Sequence, residues 1–187
     1  KKFVSANELV RDSFRLARLI HRSGYVPDVI LVLWRGGTPV GIAVHEYLEY
    51  KGIQSEHAVV KATSYVGIGE RIAPSIEHAD PVLASVPRDA EVLLIDDIFD
   101  TGRTIERMRQ LLEPRTARMK VATLYWKPGS NCTQSEPDYY LRVADEWVVF
   151  PHELVGLTED EIRAKDRGLW ALLTQEESSR TAEGKRA

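Results

Sequence analysis

Residues 91–108 read EVLLIDDIFDTGRTIERM. An unbroken apolar run, Val92 to Ile95, has the character of a strand buried on both faces. Two adjacent acids, Asp96 and Asp97, end the run, and Ile98 and Phe99 lead into the polar loop Asp100-Thr101-Gly102-Arg103-Thr104. Apolar residues then recur at helical spacing (Ile105, Met108, Leu111, Leu112), so a helix is expected from Thr104 or just after it. The first N–H groups of a helix lack internal partners, and its dipole places partial positive charge there. Gly102 allows backbone angles closed to other residues, and Thr101 and Thr104 add hydroxyl donors. Strand, loop and helix start together form a cradle for a phosphate monoester. Three carboxylates beside an anion make sense if the ligand also carries hydroxyls and a divalent cation. Mg²⁺, which favours carboxylate, substrate oxygen and water, meets that need. Taken without context, the same residues also suit an ordinary β–α turn with solvated acids.

The stretch VLLIDDIFDTGRT resembles the signature with which type I phosphoribosyltransferases bind 5-phosphoribosyl 1-pyrophosphate (PRPP). Every position of that pattern is filled: apolar residues, two acids, two apolar residues, then Asp-Thr-Gly-x-Thr. The resemblance implies that Asp100, Thr101, Gly102, Arg103 and Thr104 hold the 5-phosphate. It implies that Asp96 and Asp97 take the ribose hydroxyls, directly or through Mg²⁺.

Size and composition set outer limits. The 187 residues are 43% hydrophobic and 28% charged, a globular composition with enough chain for one domain. A net charge of −3 gives no basic field, so nucleic acid is not an expected partner. No apolar run approaches the ~20 residues of a membrane span. The single cysteine, Cys132, cannot form an internal disulfide, and a cytoplasmic location is expected.

In chain order, Ser5 and Glu8 form a capping box for a first helix, with Val10, Phe14, Ala17 and Ile20 expected on its core face. Residues 29–34, VILVLW, read as a buried parallel strand, followed by Arg35-Gly36-Gly37 and an apolar helix that stops at Gly52. Two glycines at a strand's carboxyl end permit close approach of a ligand, and Arg35 is a natural donor to phosphate oxygens, although a tight turn with an exposed arginine reads the same way. Hypoxanthine- and xanthine-guanine phosphoribosyltransferases carry a basic residue followed by Gly-Gly here, in the loop that holds pyrophosphate. That likeness implies a pyrophosphate role for Arg35, Gly36 and Gly37, and a cis peptide bond between Trp34 and Arg35.

Residues 57–65 read as a further strand and lead into a long glycine-containing excursion, about 65–81. Ser64 and Tyr65, after Lys61, are similar to the flexible catalytic loop of the 6-oxopurine enzymes, so the excursion is expected to be a lid, with a plain surface loop as the other reading. Residues 82–86 are expected as a short returning strand. Residues 120–126, KVATLYW, form a strand that ends in Lys127, placed toward the same crevice as the acids. In the resembled family a lysine here bonds the purine O6. Trp147, followed by Val148 and by the acid Glu153 six residues on, resembles the segment that holds the purine, where an aromatic ring stacks on the base and backbone groups read its edge. Glu153 stands where aspartate is usual in that family. Thr158 caps a last helix, and residues 175–187 are expected to be a disordered tail.

Buried strands alternating with helices give an α/β fold with a mainly parallel sheet, and the motifs all fall at strand carboxyl ends. The resemblance names that fold a type I phosphoribosyltransferase core, at about 29–153, inside a single domain of residues 1–174. N- and C-terminal segments would supply a small hood. The implied reaction transfers the phosphoribosyl group of PRPP to hypoxanthine, guanine or xanthine, with Asp100 and Lys127 at the chemistry and Mg²⁺ as cofactor. Family members are commonly dimers or tetramers, so a homo-oligomer is expected. A transferase for another base, and a non-catalytic PRPP sensor, are the alternatives.

Overall fold

A computed structural model describes residues 1–63, 66–67, 70–71, 75–77 and 79–174. The chain begins with β1 (Lys2–Phe3), α1 (Ala6–Arg22), β2 (Val29–Trp34), α2 (Gly37–Tyr50) and β3 (Glu56–Thr63). Short β4 (Val66–Gly67), β5 (Glu70–Arg71) and β6 (Ser75–Glu77) precede α3 (Ala79–Ser85). Then come β7 (Val92–Phe99), α4 (Arg103–Leu112), β8 (Met119–Trp126), β9 (Tyr139–Val143), β10 (Val148–Val149) and α5 (Glu159–Lys165). Residues 167–174 are helical as well. Ser64, Tyr65 and the 175–187 tail lie outside the described residues, as do several positions of the 65–81 excursion.

The main sheet has the order β6-β3-β2-β7-β8-β9, parallel throughout except for antiparallel β6. This is the mainly parallel α/β sheet the apolar runs imply. Side chains alternate between its faces. Ile30, Val32, Leu93 and Ile95 pack with Leu16, Ile20, Val40 and Val44 on the α1/α2 side. Leu31, Leu33, Val92 and Leu94 pack with Leu83, Ile105, Met108 and Leu112 on the α3/α4 side. Leu93, Leu94 and Ile95 are all fully buried, which is why β7 reads as continuously apolar. Each such side chain contributes roughly 1.5–3 kcal/mol through burial. The β7–α4 unit is thus anchored on both faces of the sheet. In a separate two-stranded sheet β1 pairs in parallel with β10, joining the start of the chain to the segment after β9.

Two expectations need correction. Residues 82–86 do not form a strand; most of them belong to α3. Pro81 stands in the first turn of that helix, where no N–H partner is lost, while Leu83 is buried within it and Val86 is buried just beyond its end. A short apolar run between two prolines mimics a strand. In α1, the core face is Leu9, Ser13, Leu16, Ala17 and Ile20, whereas Val10 and Phe14 are 51% and 39% exposed. Two polar residues on the buried side hid it. Ser13 Oγ donates to the Leu9 carbonyl, and Asp12 accepts from Arg142 of β9 through Nε and Nη2 at 3.0 and 2.9 Å. A satisfied polar group can be buried at little cost. The capping boxes at Ser5/Glu8 and Thr158/Glu161 are both formed. Among the described residues no helix is long and apolar enough to cross a membrane.

Candidate functional site

The site lies beyond the carboxyl ends of β2, β7 and β8. Strand β7 carries Asp96 and Asp97 and continues to Phe99, two residues past the acids. The loop Asp100-Thr101-Gly102 then turns into α4 with Gly102 at φ +77°, a left-handed angle that glycine takes without strain. Gly102 has no side-chain cap, so the α4 N–H groups stay available to an anion. Arg103 begins the helix and Thr104 lies in its first turn, one residue earlier than the periodicity placed the start.

From β2, the chain passes through a cis Trp34–Arg35 bond, as the resemblance implied, into Gly36 and Gly37. Both glycines are enforced by contact. A Cβ on Gly36 would lie 2.2 Å from Asp97 Oδ2, and one on Gly37 would lie 2.5 Å from the Ile95 carbonyl oxygen. The Arg35 loop therefore rests directly on the acidic end of β7.

A cavity of about 400 Å³ opens beside these elements, lined by Asp97, Ile98, Asp100, Lys127, Trp147, Val148, Phe150 and Glu153. That volume suits a small-molecule ligand. Lys127 is largely buried, with Nζ 3.5 Å from Asp100 Oδ1. Trp147 is 55% exposed, which rules out a core role, and the Lys1 ammonium stands 5.0 Å from its ring centroid. Asp100 Oδ1 is buried and has no hydrogen-bond partner among the described residues. The Phe150 N–H donates to Glu153 Oε2 at 2.9 Å, which fixes that carboxylate against the backbone.

The electrostatics are dominated by Asp97, which is 8% exposed. Burial, and then the charge of Glu153, push its carboxyl up to about 7. Burial and the neighbouring Asp97 charge raise Asp96 as well. His152 Nε2 stands 3.9 Å from Asp97 Oδ2 while its ring stacks on Phe150. Burial lowers the His152 pKa, so it is a weak counter-charge. Among the described residues no three His, Cys, Asp or Glu side chains are grouped as a closed metal cage. Two adjacent acids with uncompensated charge nonetheless match an ion that takes most of its ligands from substrate and water.

The phosphoribosyl transferase domain model matches residues 3–157, which include every one of these elements. The chain belongs to the phosphoribosyltransferase family. A hypoxanthine-guanine phosphoribosyltransferase of Lactococcus lactis subsp. lactis is 30% identical over 152 residues, 80% of either chain. A purine phosphoribosyltransferase from Pyrococcus horikoshii superposes with a TM-score of 0.66 at 28% identity, covering 83% of this chain and 95% of that one. A hypothetical protein from Neisseria gonorrhoeae, solved with bound ppGpp, shares the fold at a TM-score of 0.69 and 20% identity, over 89% and 96% of the two chains.

In this phosphoribosyltransferase, several site neighbours carried no signal in the sequence. His152 and Phe150 reach the acids only through the return of the chain after β10, and nothing in their spacing announces that contact. The raised Asp97 carboxyl has a measurable consequence. Between pH 3.8, the ordinary value of an aspartate, and about 7, the folded chain keeps a proton on Asp97 that the unfolded chain has released. Stability must then fall as pH rises through that interval. His152, with a lowered pKa, acts in the opposite sense below its ordinary 6.5. In metal-free buffer the melting temperature is expected to drop between about pH 4 and about pH 7, and Asp97→Asn should flatten the profile. A melting temperature that rises steadily over that range would refute this charge assignment.

Proposed function

We propose that this enzyme transfers the phosphoribosyl group of PRPP to a 6-oxopurine, hypoxanthine, guanine or xanthine, giving a nucleoside 5′-monophosphate and pyrophosphate. The observation that carries the reading is the single cavity in which Lys127, Asp100, Asp97, Trp147 and Glu153 meet, next to an anion cradle at the start of α4. The similarity to purine phosphoribosyltransferases supports the same choice of substrates.

In this reading Asp100, Thr101, Gly102, Arg103 and Thr104 hold the 5-phosphate, and Asp96 and Asp97 hold the ribose hydroxyls. Arg35, Gly36 and Gly37 cradle the pyrophosphate. Trp147 stacks on the base, Val148 reads its edge through the backbone, and Glu153 closes the cavity at the far side. Lys127 donates to the purine O6, which an amino group at that position could not accept. The bond from ribose C1 to pyrophosphate breaks as the bond to purine N9 forms, and Asp100 accepts the N7 proton. Most of the rate then comes from positioning and electrostatic stabilisation, with no covalent intermediate. Asp96 and Asp97 would hold Mg²⁺, which supplies charge neutralisation to the departing pyrophosphate. Residues 1–174 act as one unit, with the β1–β10 pairing as a hood over the core, and the enzyme works as a homo-oligomer.

The Lys127 assignment is open to a direct test. Lys127→Ala should lower kcat/KM for guanine and hypoxanthine by about 10²-fold, the effect of losing a charged hydrogen bond in a buried site, with PRPP binding little changed. Equal losses for every base and for PRPP would instead assign Lys127 to the integrity of the loop.

A further inference from the structure

The segment that follows Lys127 has no part in the reading above, yet it is built onto the phosphate cradle. Pro128–Ser130 form a short 3₁₀ turn, after which residues 131–135 cross back over Gly102. A Cβ on Gly102 would sit 2.4 Å from Thr133 Oγ1 and 2.8 Å from Asn131 Oδ1. Asn131 Oδ1 accepts from both the N–H and the hydroxyl of Thr133, at 3.0 and 2.9 Å. Thr133 Oγ1 accepts in turn from the Ser135 N–H at 3.3 Å. Asn131 Nδ2 closes the ring on the Ser135 carbonyl at 2.9 Å.

This knot is fastened to both sides of the cradle. The Cys132 N–H donates to the Thr101 carbonyl at 3.1 Å, and Ser135 Oγ donates to Glu106 of α4 at 2.8 Å. Arg103 Nε donates to Cys132 Sγ at 3.2 Å. At the other end of the segment the Lys127 N–H donates to the Phe99 carbonyl at 2.9 Å, directly before Asp100. Asn131 Oδ1 and the Thr133 hydroxyl make their hydrogen bonds inside the knot, so these atoms serve the shape of the segment.

We infer that Asn131 and Thr133 are positioning residues for the 5-phosphate: by packing on Gly102 and fixing the turn from which the Cys132 N–H grips the Thr101 carbonyl, they hold the loop in the conformation that aims its N–H groups at the anion. The inference rests on the assignment of residues 100–104 to the phosphate. A loop held in shape before binding loses less freedom on binding, and its affinity is correspondingly higher. Since the same segment begins at Lys127, it ties the base contact and the phosphate contact to one rigid bracket.

The test uses Thr133→Val, which keeps the volume and removes the hydroxyl, and Thr133→Ser, which keeps the hydroxyl. Ribose 5-phosphate binding is read by titration calorimetry, alongside kcat and both KM values. Thr133→Val should weaken ribose 5-phosphate and raise the PRPP KM by about tenfold, with kcat and the base KM within about threefold of wild type. Thr133→Ser should restore most of the affinity. Unchanged ribose 5-phosphate binding in Thr133→Val overturns the inference, as does an equal loss in kcat and both KM values with no rescue by serine. Should Thr133→Val fail to fold, Ser135→Ala, which cuts the tie to Glu106, is read in the same titration, and wild-type affinity there also overturns it. Absence of ribose 5-phosphate binding by the wild-type protein would remove the underlying phosphate assignment itself, a result distinct from all of these.

Discussion

Asp100→Asn is expected to lower kcat by about 10²–10³-fold while the PRPP KM moves by less than about threefold, the signature of a lost proton acceptor. Asparagine keeps the size of the side chain and its ability to accept a hydrogen bond, so the loop should retain its course. What disappears is the charge proposed to take a proton from the purine. The surroundings favour that role. Asp100 Oδ1 is buried, has no hydrogen-bond partner among the described residues and is ion-paired with Lys127 Nζ at 3.5 Å, in a side chain that is 47% exposed as a whole. A carboxylate held by that one loose ion pair still has acceptor positions to offer to a ligand. Single-turnover rates with guanine and hypoxanthine would separate chemistry from product release. An unchanged kcat would take Asp100 out of the reaction.

Gly36→Ala is expected to be nearly as damaging for a different reason. Gly36 has ordinary right-handed helical angles, φ −62° and ψ −39°, so alanine meets no backbone obstacle there. The obstacle is Asp97, whose carboxylate atoms would lie 2.2, 2.4 and 2.6 Å from the new methyl group. That carboxylate can retreat into the cavity it lines, beside His152 and against the charge of Glu153. Either it is displaced there or the Arg35 loop and the end of β7 shift, at a cost of about 1–3 kcal/mol in stability. Both carry groups assigned to the substrate. A displacement of this kind should reduce kcat/KM by about 10²-fold or more even where the protein remains folded at the assay temperature. Activity within a few-fold of wild type would mean that the Gly36–Asp97 contact is not part of the working geometry.

The fold was legible where local chemistry and global packing agree. β2 and β7 are buried on both faces, so their apolar runs are unbroken; Ser5 and Thr158 announce their helices because capping is a matter of neighbouring residues. The start of the strand at Val92 and the start of α4 read correctly to within one residue, since Gly102 and the two threonines have few other uses in that pattern, whereas β7 runs on through both acids to Phe99, four residues beyond the apolar run. Reading failed where distant residues decide. Asp12 is buried because Arg142, on β9, reaches it, and without that knowledge the core face of α1 turns toward Val10 and Phe14. α3 was mistaken for a strand because a seven-residue helix with a proline in its first turn leaves too short a period to count.

The site divides in the same way. Arg35, the two glycines, the acids, Lys127 and Trp147 stand at the ends of recognisable elements, and the fold gathers them at one crevice. Asp97's contact with His152, and the Asn131–Thr133 knot over Gly102, arise only from the way the loops return. No residue spacing encodes them. The proposed Mg²⁺ is a related case, because an ion held mainly by substrate and water would leave few ligands in the chain. A rise in melting temperature at about pH 8 on adding Mg²⁺ with PRPP, larger than with either alone, is the outcome expected of such shared ligation.

The decisive measurement is pyrophosphate release from PRPP in the presence of Mg²⁺, with guanine, hypoxanthine, xanthine, adenine and uracil supplied one at a time. Release with one or more 6-oxopurines, and none above background with adenine or uracil, is the expected result. Silence with all five bases, from protein that binds PRPP, would contradict the proposed transfer and leave a binding protein on a transferase fold.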